Sequence, residues 1–327
     1  MKRNFLVITG ALVVSAVSAQ AQNGPSNSQC ANTLPSPVGP AQRNACNTAI
    51  DLFNYMAPQL GTIIAGGNTT LGQGGALGGP GHFAITLRGN ALAGTLPQVD
   101  KYDPTSSSRT LDTKNQALPL PTVDAAIGVF SGLPLGVTRI GGLDLLLNAS
   151  FLPEYSGSGV TVKLPNGKLN VGYGARIGLL QEGLLTPGIG FSYMKRDLPT
   201  VALSAQNGTT RFDVKDLTVK TTSWRVTASK SLIAFGLAAG VGQDMYDSHA
   251  SINATTTLVP LSASVNGNQS ITRTNYFGDL SLNVVVVKFV AEVGMVQGGK
   301  ITTYNTFNGK AADASRLYGS AGIRVGF

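Results

Sequence analysis

From residue 82 onward, apolar and polar residues alternate one by one, in runs long enough to cross a membrane as strands. Phe83, Ile85, Leu87, Gly89 and Ala91 alternate with His82, Ala84, Thr86, Arg88 and Asn90. Leu143, Leu145, Leu147, Ala149 and Phe151 alternate with Asp144, Leu146, Asn148 and Ser150. The same period recurs over 168–179, 187–193, 212–229, 232–246, 272–286 and 288–298, and more loosely over 123–130. It ends in a strand from 316 that puts Leu317, Gly319, Ala321, Ile323, Val325 and Phe327 on one face, and Tyr318, Ser320, Gly322 and Arg324 on the other. A period of two gives each strand one apolar and one polar face. That predicts ten strands.

The stretches between them sort into two kinds. Those at 93–119, 153–167, 199–211, 247–271 and 299–315 are long and rich in Asn, Thr, Ser, Asp or Gly. Those near 132–138, 181–185, 230–231 and 287 are short. Long loops on one side and tight turns on the other are the pattern of an outer-membrane barrel. The predicted fold is all-β: a transmembrane antiparallel up-and-down β-barrel of about 10 strands, range 10–14. The range allows for an extra hairpin in 199–211 and another in 252–265. Strands counted from a periplasmic N-terminus place the long loops outside. Phe151, Tyr155, Tyr193, Tyr246, Tyr276 and Tyr304 then fall near the outward strand ends, as an interfacial girdle.

The amino-terminal part reads differently. A basic start at Lys2-Arg3, an apolar run from Phe5 to Ser18 and Ala19-Gln20-Ala21 have the form of a cleaved signal peptide over 1–21. Residues 22–80 form a periplasmic or lumenal segment before the barrel of 81–327. In it a short helix is expected over 45–60, with Ile50, Phe53, Tyr55, Met56 and Leu60 as apolar members and Pro58 interrupting it late. A Gly-rich run over 61–81 follows; it contains no GxxxxGK[ST], so it is not a phosphate loop. Cys30 and Cys46, the two cysteines of the chain, are expected to form a disulfide in an oxidising compartment.

Composition agrees with export to a lipid environment. Charged residues make up 12% of the chain and glycine supplies 41 positions, against about 25% and about 7% in average proteins. The net charge of +8 is dispersed, which argues against nucleic acid as a partner. No metal-ligand cluster or cofactor motif is present.

Two resemblances follow from particular residues. Ser320, Gly322, Val325 and the terminal Phe327 resemble the closing-strand signal of bacterial outer-membrane barrels, which implies outer-membrane lipid, lipopolysaccharide and the barrel-assembly machinery as partners. A looser similarity spans about 50–200. It runs through Met56-Ala57-Pro58-Gln59-Leu60-Gly61, Gly78-Gly79-Pro80-Gly81-His82-Phe83, Pro119-Leu120-Pro121, Gly172-Tyr173-Gly174 and Pro187-Gly188-Ile189-Gly190. It resembles an uncharacterised family of bacterial barrels with a small N-terminal helix. It is distantly similar to the long-chain fatty-acid transporter superfamily, in which the N-terminal segment plugs the lumen.

Arg88, Asp144, Arg176, Arg225, Asp279, Lys288, Glu292 and Arg324 fall on the polar faces of their strands and are the candidate lumen lining. Arg88 and Arg324 are expected on adjoining strands, where two like charges need a carboxylate or a bound anion between them. A narrow channel or transporter for a small solute, apolar solutes included, is the leading expectation, with the N-terminal segment as plug. A closed barrel working through its extracellular loops is the alternative. A barrel hydrolase ranks third, with His249 beside Asp244 and Asp247 as its only rim cluster.

Overall fold

Ten strands pair each with the next in sequence until the last returns to the first. They are β1 (Phe83–Pro97), β2 (Thr113–Phe130), β3 (Gly142–Phe151), β4 (Leu169–Leu180), β5 (Gly188–Asp197), β6 (Thr210–Leu232), β7 (Phe235–Thr256), β8 (Leu261–Val284), β9 (Val287–Val296) and β10 (Arg316–Gly326). All are antiparallel, and the ring closes between β1 and β10 from Ala84↔Gly326 to Leu92↔Tyr318. The structure, a computed structural model, describes residues 24–32 and 40–327 apart from 104, 158–159, 208–209 and 257–260. The signal-peptide reading of 1–21 lies outside the described residues. Closure leaves no strand edge unpaired in lipid, where a bare backbone N–H or C=O would cost several kcal/mol.

The alternation of the sequence becomes the two faces of the wall. Ile85, Leu87, Leu145, Val171, Leu237, Leu280 and Val293 point outward and are exposed, while Thr86, Arg88, Asn148, Arg176 and Glu292 point inward and are buried. Pro119 and Pro121 of β2 lie beyond the ladder with β3, which ends at Thr122↔Ser150, so the strand is paired there on one side only. A missing N–H is tolerated at such an edge.

Strand ends differ from the expectation on the extracellular side. β1 and β2 stay paired out to Pro97↔Thr113, and β7 and β8 to Thr256↔Leu261. Most of the expected loop at 247–271, and both ends of the one at 93–119, are therefore hairpin arms. Past the lipid, both strand faces meet water or protein, so pairing continues after the apolar row has stopped. β6, β7 and β8 hold 23, 22 and 24 residues. Such strands reach roughly 75 Å along their own axes, far more than a lipid band ~25 Å tall requires even when tilted. The strand Val201–Asn207 folds back on β6 and pairs with Val160–Lys163 in the same extension, so 199–211 adds a hairpin outside the ten-strand ring. Residues 252–265 are the far ends of β7 and β8.

Inside the wall run α1 (Ser28–Asn32), α2 (Pro40–Ala65) and the irregular segment 66–81. α2 is longer than expected and passes through Pro58. The proline removes the donor that Asn54 C=O would receive in a helix. Gln269 of β8 replaces it, its Nε2 donating to that oxygen at 3.2 Å. The segment does not begin at the periplasmic end. Gly24 N–H donates to Thr303 O and Gln29 Nε2 to Asn266 O, both on the long-loop side, and the chain descends through the barrel to start β1 at the short-turn rim.

Cys30 and Cys46 are joined, fastening α1 to α2 with Cα atoms 5.7 Å apart. A loop of this size contributes ~3 kcal/mol in the entropic account. Cys30→Ser with Cys46→Ser is expected to free α1 by up to that amount and leave the ten strands intact. Protease cleavage near residue 30 on whole cells, with unchanged migration of the unheated barrel, is the check.

Candidate functional site

The lumen is where the charged residues converge, and it is occupied. α2 ends at Ala65 near the middle of the barrel, leaving the last-turn carbonyls without helical donors at the negative end of the helix dipole. Three arginines of the wall meet them. Arg88 Nη1 donates to Gly66 O at 2.9 Å and Arg196 Nη1 to Ala65 O at 2.8 Å, while Arg225 Nη2 donates to Ala65 O as well. Arg196 Nη2 also donates to Thr69 Oγ1 at 2.6 Å.

Below the helix, the extended segment has backbone groups that no sheet can satisfy. The wall supplies the partners. Carboxylates take the N–H groups: Asn68 N donates to Glu292 Oε2 at 3.0 Å, Gly72 N to Asp279 Oδ2 at 2.9 Å and Leu77 N to Asp144 at 3.1 Å. Guanidinium groups take the carbonyls, Arg176 that of Gln73 and Arg324 that of Leu71, each at 3.3 Å. Backbone buried in this way requires such pairing. Glycine is needed where the two approach: at Gly67, φ is +77° and a Cβ would collide with Arg88 Nη1. A Cβ on Gly61 of α2 would lie 2.6 Å from the Tyr246 ring.

The candidate residues are thus placed as follows. Arg88, Asp144, Arg176, Arg225, Asp279, Glu292 and Arg324 are buried on the inner face, and Lys288 is half-buried at the periplasmic end. Arg88 faces Asp124 at 2.7 Å, Arg176 faces Asp144 at 2.7 Å and Arg225 lies 3.6 Å from Asp244. Arg88 and Arg324 do sit on adjoining strands, two positions out of register, and Asp124 neutralises the first. Arg196, Arg273, Arg316 and Asp124 belong to the same lining and are not singled out by the sequence; Asp244, expected in a rim cluster, lies in this lining too. Extending the even-numbered inner row of β5 from Gly190 and Ser192 reaches Arg196.

Two expectations at the outer rim are corrected. Tyr246 is buried in the lumen against α2, and Tyr304 packs on the N-terminal segment with its hydroxyl 3.2 Å from Asn44 Oδ1, so neither belongs to a lipid girdle. His249 Nδ1 donates to Asn268 Oδ1 at 2.8 Å on the exposed face with Asp247, whereas Asp244 is wholly buried inside. Odd and even positions of one strand point apart, so the cluster that motivated a hydrolase is not formed. Among the described residues, no group of three or more His, Cys, Asp or Glu could hold a metal ion.

The upper end of α2 is fastened by Asp51. Its carboxylate accepts the backbone N–H groups of Tyr304 at 3.1 Å and Asn305 at 2.6 Å, and Asn305 Nδ2 at 2.8 Å. Asp51 stands fourteen residues before Ala65, ~21 Å farther out along the helix and beyond the hydrocarbon band. Burial pushes its carboxyl up to about 6 from an ordinary 3.8, against the lowering effect of those hydrogen bonds. The packed state therefore holds a proton more tightly than the released state. The contact is strongest below pH ~4 and weakens as pH rises through about 6. Proteolysis of 299–315 is expected to accelerate over that interval in the natural chain and to be flat with pH in Asp51→Asn.

Comparison with known proteins adds fold-level similarity only. No protein-family model and no curated protein matches the chain. Among solved structures, the translocator domain of the autotransporter NalP from Neisseria meningitidis is similar over 76% of this chain and 88% of its own, at 11% identity and a TM-score of 0.37. The toluene transporter TbuX of Ralstonia pickettii covers 81% and 98%, at 14% identity and 0.29. The toluene transporter TodX of Pseudomonas putida covers 75% and 87%, at 11% and 0.27. At these TM-scores the similarities carry no argument about activity.

Proposed function

We propose that this outer-membrane β-barrel is a narrow channel or transporter for a small solute, closed at rest by its own N-terminal segment. The observation that carries this reading is how 66–77 is held. Apart from Leu71, Ala76 and Leu77, which are packed against the wall, it is held largely by hydrogen bonds between wall side chains, most of them charged, and its backbone, and water or an incoming solute can replace each of these bonds. A segment meant to be a permanent core would be packed with apolar side chains instead. The resemblance to fatty-acid transporters favours an apolar solute, while the arginine-rich wall favours an anionic one. Ion selectivity of the opened barrel separates the two.

A second reading has its own support. The long arms of β6, β7 and β8, with the strands Val201–Asn207 and Val160–Lys163 beside them, build a rigid sheet beyond the lipid that a channel does not need. In that reading the barrel is a closed pedestal for surface contacts. Single-channel recording of the full chain and of a chain lacking 22–79 distinguishes them.

A further inference from the structure

The periplasmic rim holds two cations with no carboxylate within 4 Å among the described residues, Glu182 acting on Lys288 only from farther away. Lys288 of β9 and Arg324 of β10 stand directly opposite each other in the ladder. Like charges in that position repel. Arg88, Arg176 and Arg225 each have a carboxylate within 4 Å, but no such ion pair forms at Lys288 or Arg324 among the described residues. The partners of Arg324 are neutral, the carbonyl of Leu71 and the side-chain oxygen of Gln73. Both cations line one cavity of about 260 Å³ that opens at this rim. The rest of its wall is largely apolar, with Phe83, Phe327 and Val285–Val287 among its members.

The turns around it are unusual for a surface in water. Val285 and Ile233, at the tips of the β8–β9 and β6–β7 turns, are fully exposed, at 99% and 102%. Both have left-handed backbone, with φ of 55° and 48°. Tight hairpins place Asn or Gly there, and a β-branched residue is strained by ~1–3 kcal/mol. Leu184, Leu185 and Val137 expose apolar side chains on the neighbouring turns of the same rim. These tips continue the lipid-facing rows above them, from Phe235, Leu282 and Phe289.

We infer that Lys288 and Arg324 bind the phosphate of an anionic phospholipid in the periplasmic leaflet. The headgroup reaches under the rim into the cavity that both sets of residues line, and its acyl chains turn outward along Phe83, Phe327, Val285 and Val286. A phosphate oxyanion between the two cations replaces their repulsion with charge-assisted hydrogen bonds. The apolar rim at headgroup depth selects a lipid over a free anion, because an inorganic ion gains nothing from Val285 or Phe327. Basic pockets on the sides of membrane proteins take lipid headgroups by the same chemistry.

The test is native mass spectrometry of the full chain released from nanodiscs of phosphatidylglycerol mixed equally with phosphatidylcholine. Preferential retention of one phosphatidylglycerol is expected, weakened about tenfold by Lys288→Gln. Lys288 makes no hydrogen bond or ion pair to the plug or the lumen wall among the described residues, so this variant is expected to fold, with migration of the unheated barrel as the control. Val285→Asn relieves the turn strain and is expected to fold at least as well while retaining less lipid. Equal retention of both lipids, or unchanged retention in folded Lys288→Gln, overturns the inference. Loss of the retained lipid to millimolar inorganic phosphate would mean a free-anion site and also overturns it. Conductance of the barrel does not enter any of these outcomes.

Discussion

Removal of residues 22–79 is expected to convert a silent barrel into a conducting one. In the full chain, α2 and the segment below it fill the lumen, and the cavity at the periplasmic rim holds about 260 Å³. Ten strands lie between the eight whose side chains fill the interior and the sixteen that enclose a wide channel. An emptied ring of ten is therefore narrow but wetted. Its wall carries Arg88, Arg176, Arg196, Arg225, Arg273, Arg316, Arg324 and Lys288 against Asp124, Asp144, Asp244, Asp279 and Glu292. Cations outnumber carboxylates, and the arginines that held residues 64–67 are left with water. Steps carried mainly by anions are expected in a planar bilayer, with the reversal potential in a salt gradient as the readout. The full chain is expected to be silent or to flicker. A truncated barrel that is folded and equally silent would remove the channel reading and leave the extracellular pedestal.

The largest stability effect is expected from Arg88→Leu. Arg88 meets Asp124 through two hydrogen bonds, Nε to Oδ2 at 2.7 Å and Nη2 to Oδ1 at 3.2 Å, and neither side chain reaches solvent. Loss of the guanidinium leaves Asp124 with Asn148, whose Nδ2 donates at 2.6 Å, and leaves the carbonyl of Gly66 with Asn90 Nδ2 at 3.1 Å. An uncompensated buried charge costs about 3–5 kcal/mol. Urea unfolding in detergent micelles should show that loss, and Arg88→Leu with Asp124→Leu should recover most of it, because the pair itself is a weak net contributor. The exposed pairs Lys101–Asp112, Lys168–Glu154 and Arg211–Asp213 are the contrast. Their removal is expected to change stability by less than ~1 kcal/mol. A small effect at Arg88 would mean that water reaches Asp124 and that the lumen is not dry.

The alternation at 83–91, 143–151 and 169–179 made the membrane strands legible because lipid imposes a strict requirement. One face must be apolar at every second residue, and a slip of one residue would invert it. Where lipid ends, that requirement ends too. The outer arms of β7 and β8 carry no apolar row toward lipid; Ala250, Ile252, Ala254 and Val265 turn inward to the N-terminal helix, and the sequence of these arms reads as loop. α2 reads short in the sequence for a similar reason. Pro58 breaks an isolated helix, and the donor that repairs it, Gln269, lies 215 residues away along the chain.

The sequence by itself determined the barrel, its lipid face, the sorting of long loops from short turns, and which charged residues turn away from lipid. These follow from one local rule, the period of two between a strand and its solvent. The tertiary structure decided what those charges meet. Arg88, Arg176 and Arg324 read as the lining of an aqueous path, and in the folded chain they hold the backbone of residues 66–73. It also decided that the segment enters from the extracellular end and that Asp244 and His249 are kept apart. Contacts between residues far apart in the chain have no period to be read from, because they depend on how a closed wall and the segment inside it satisfy each other's polar groups.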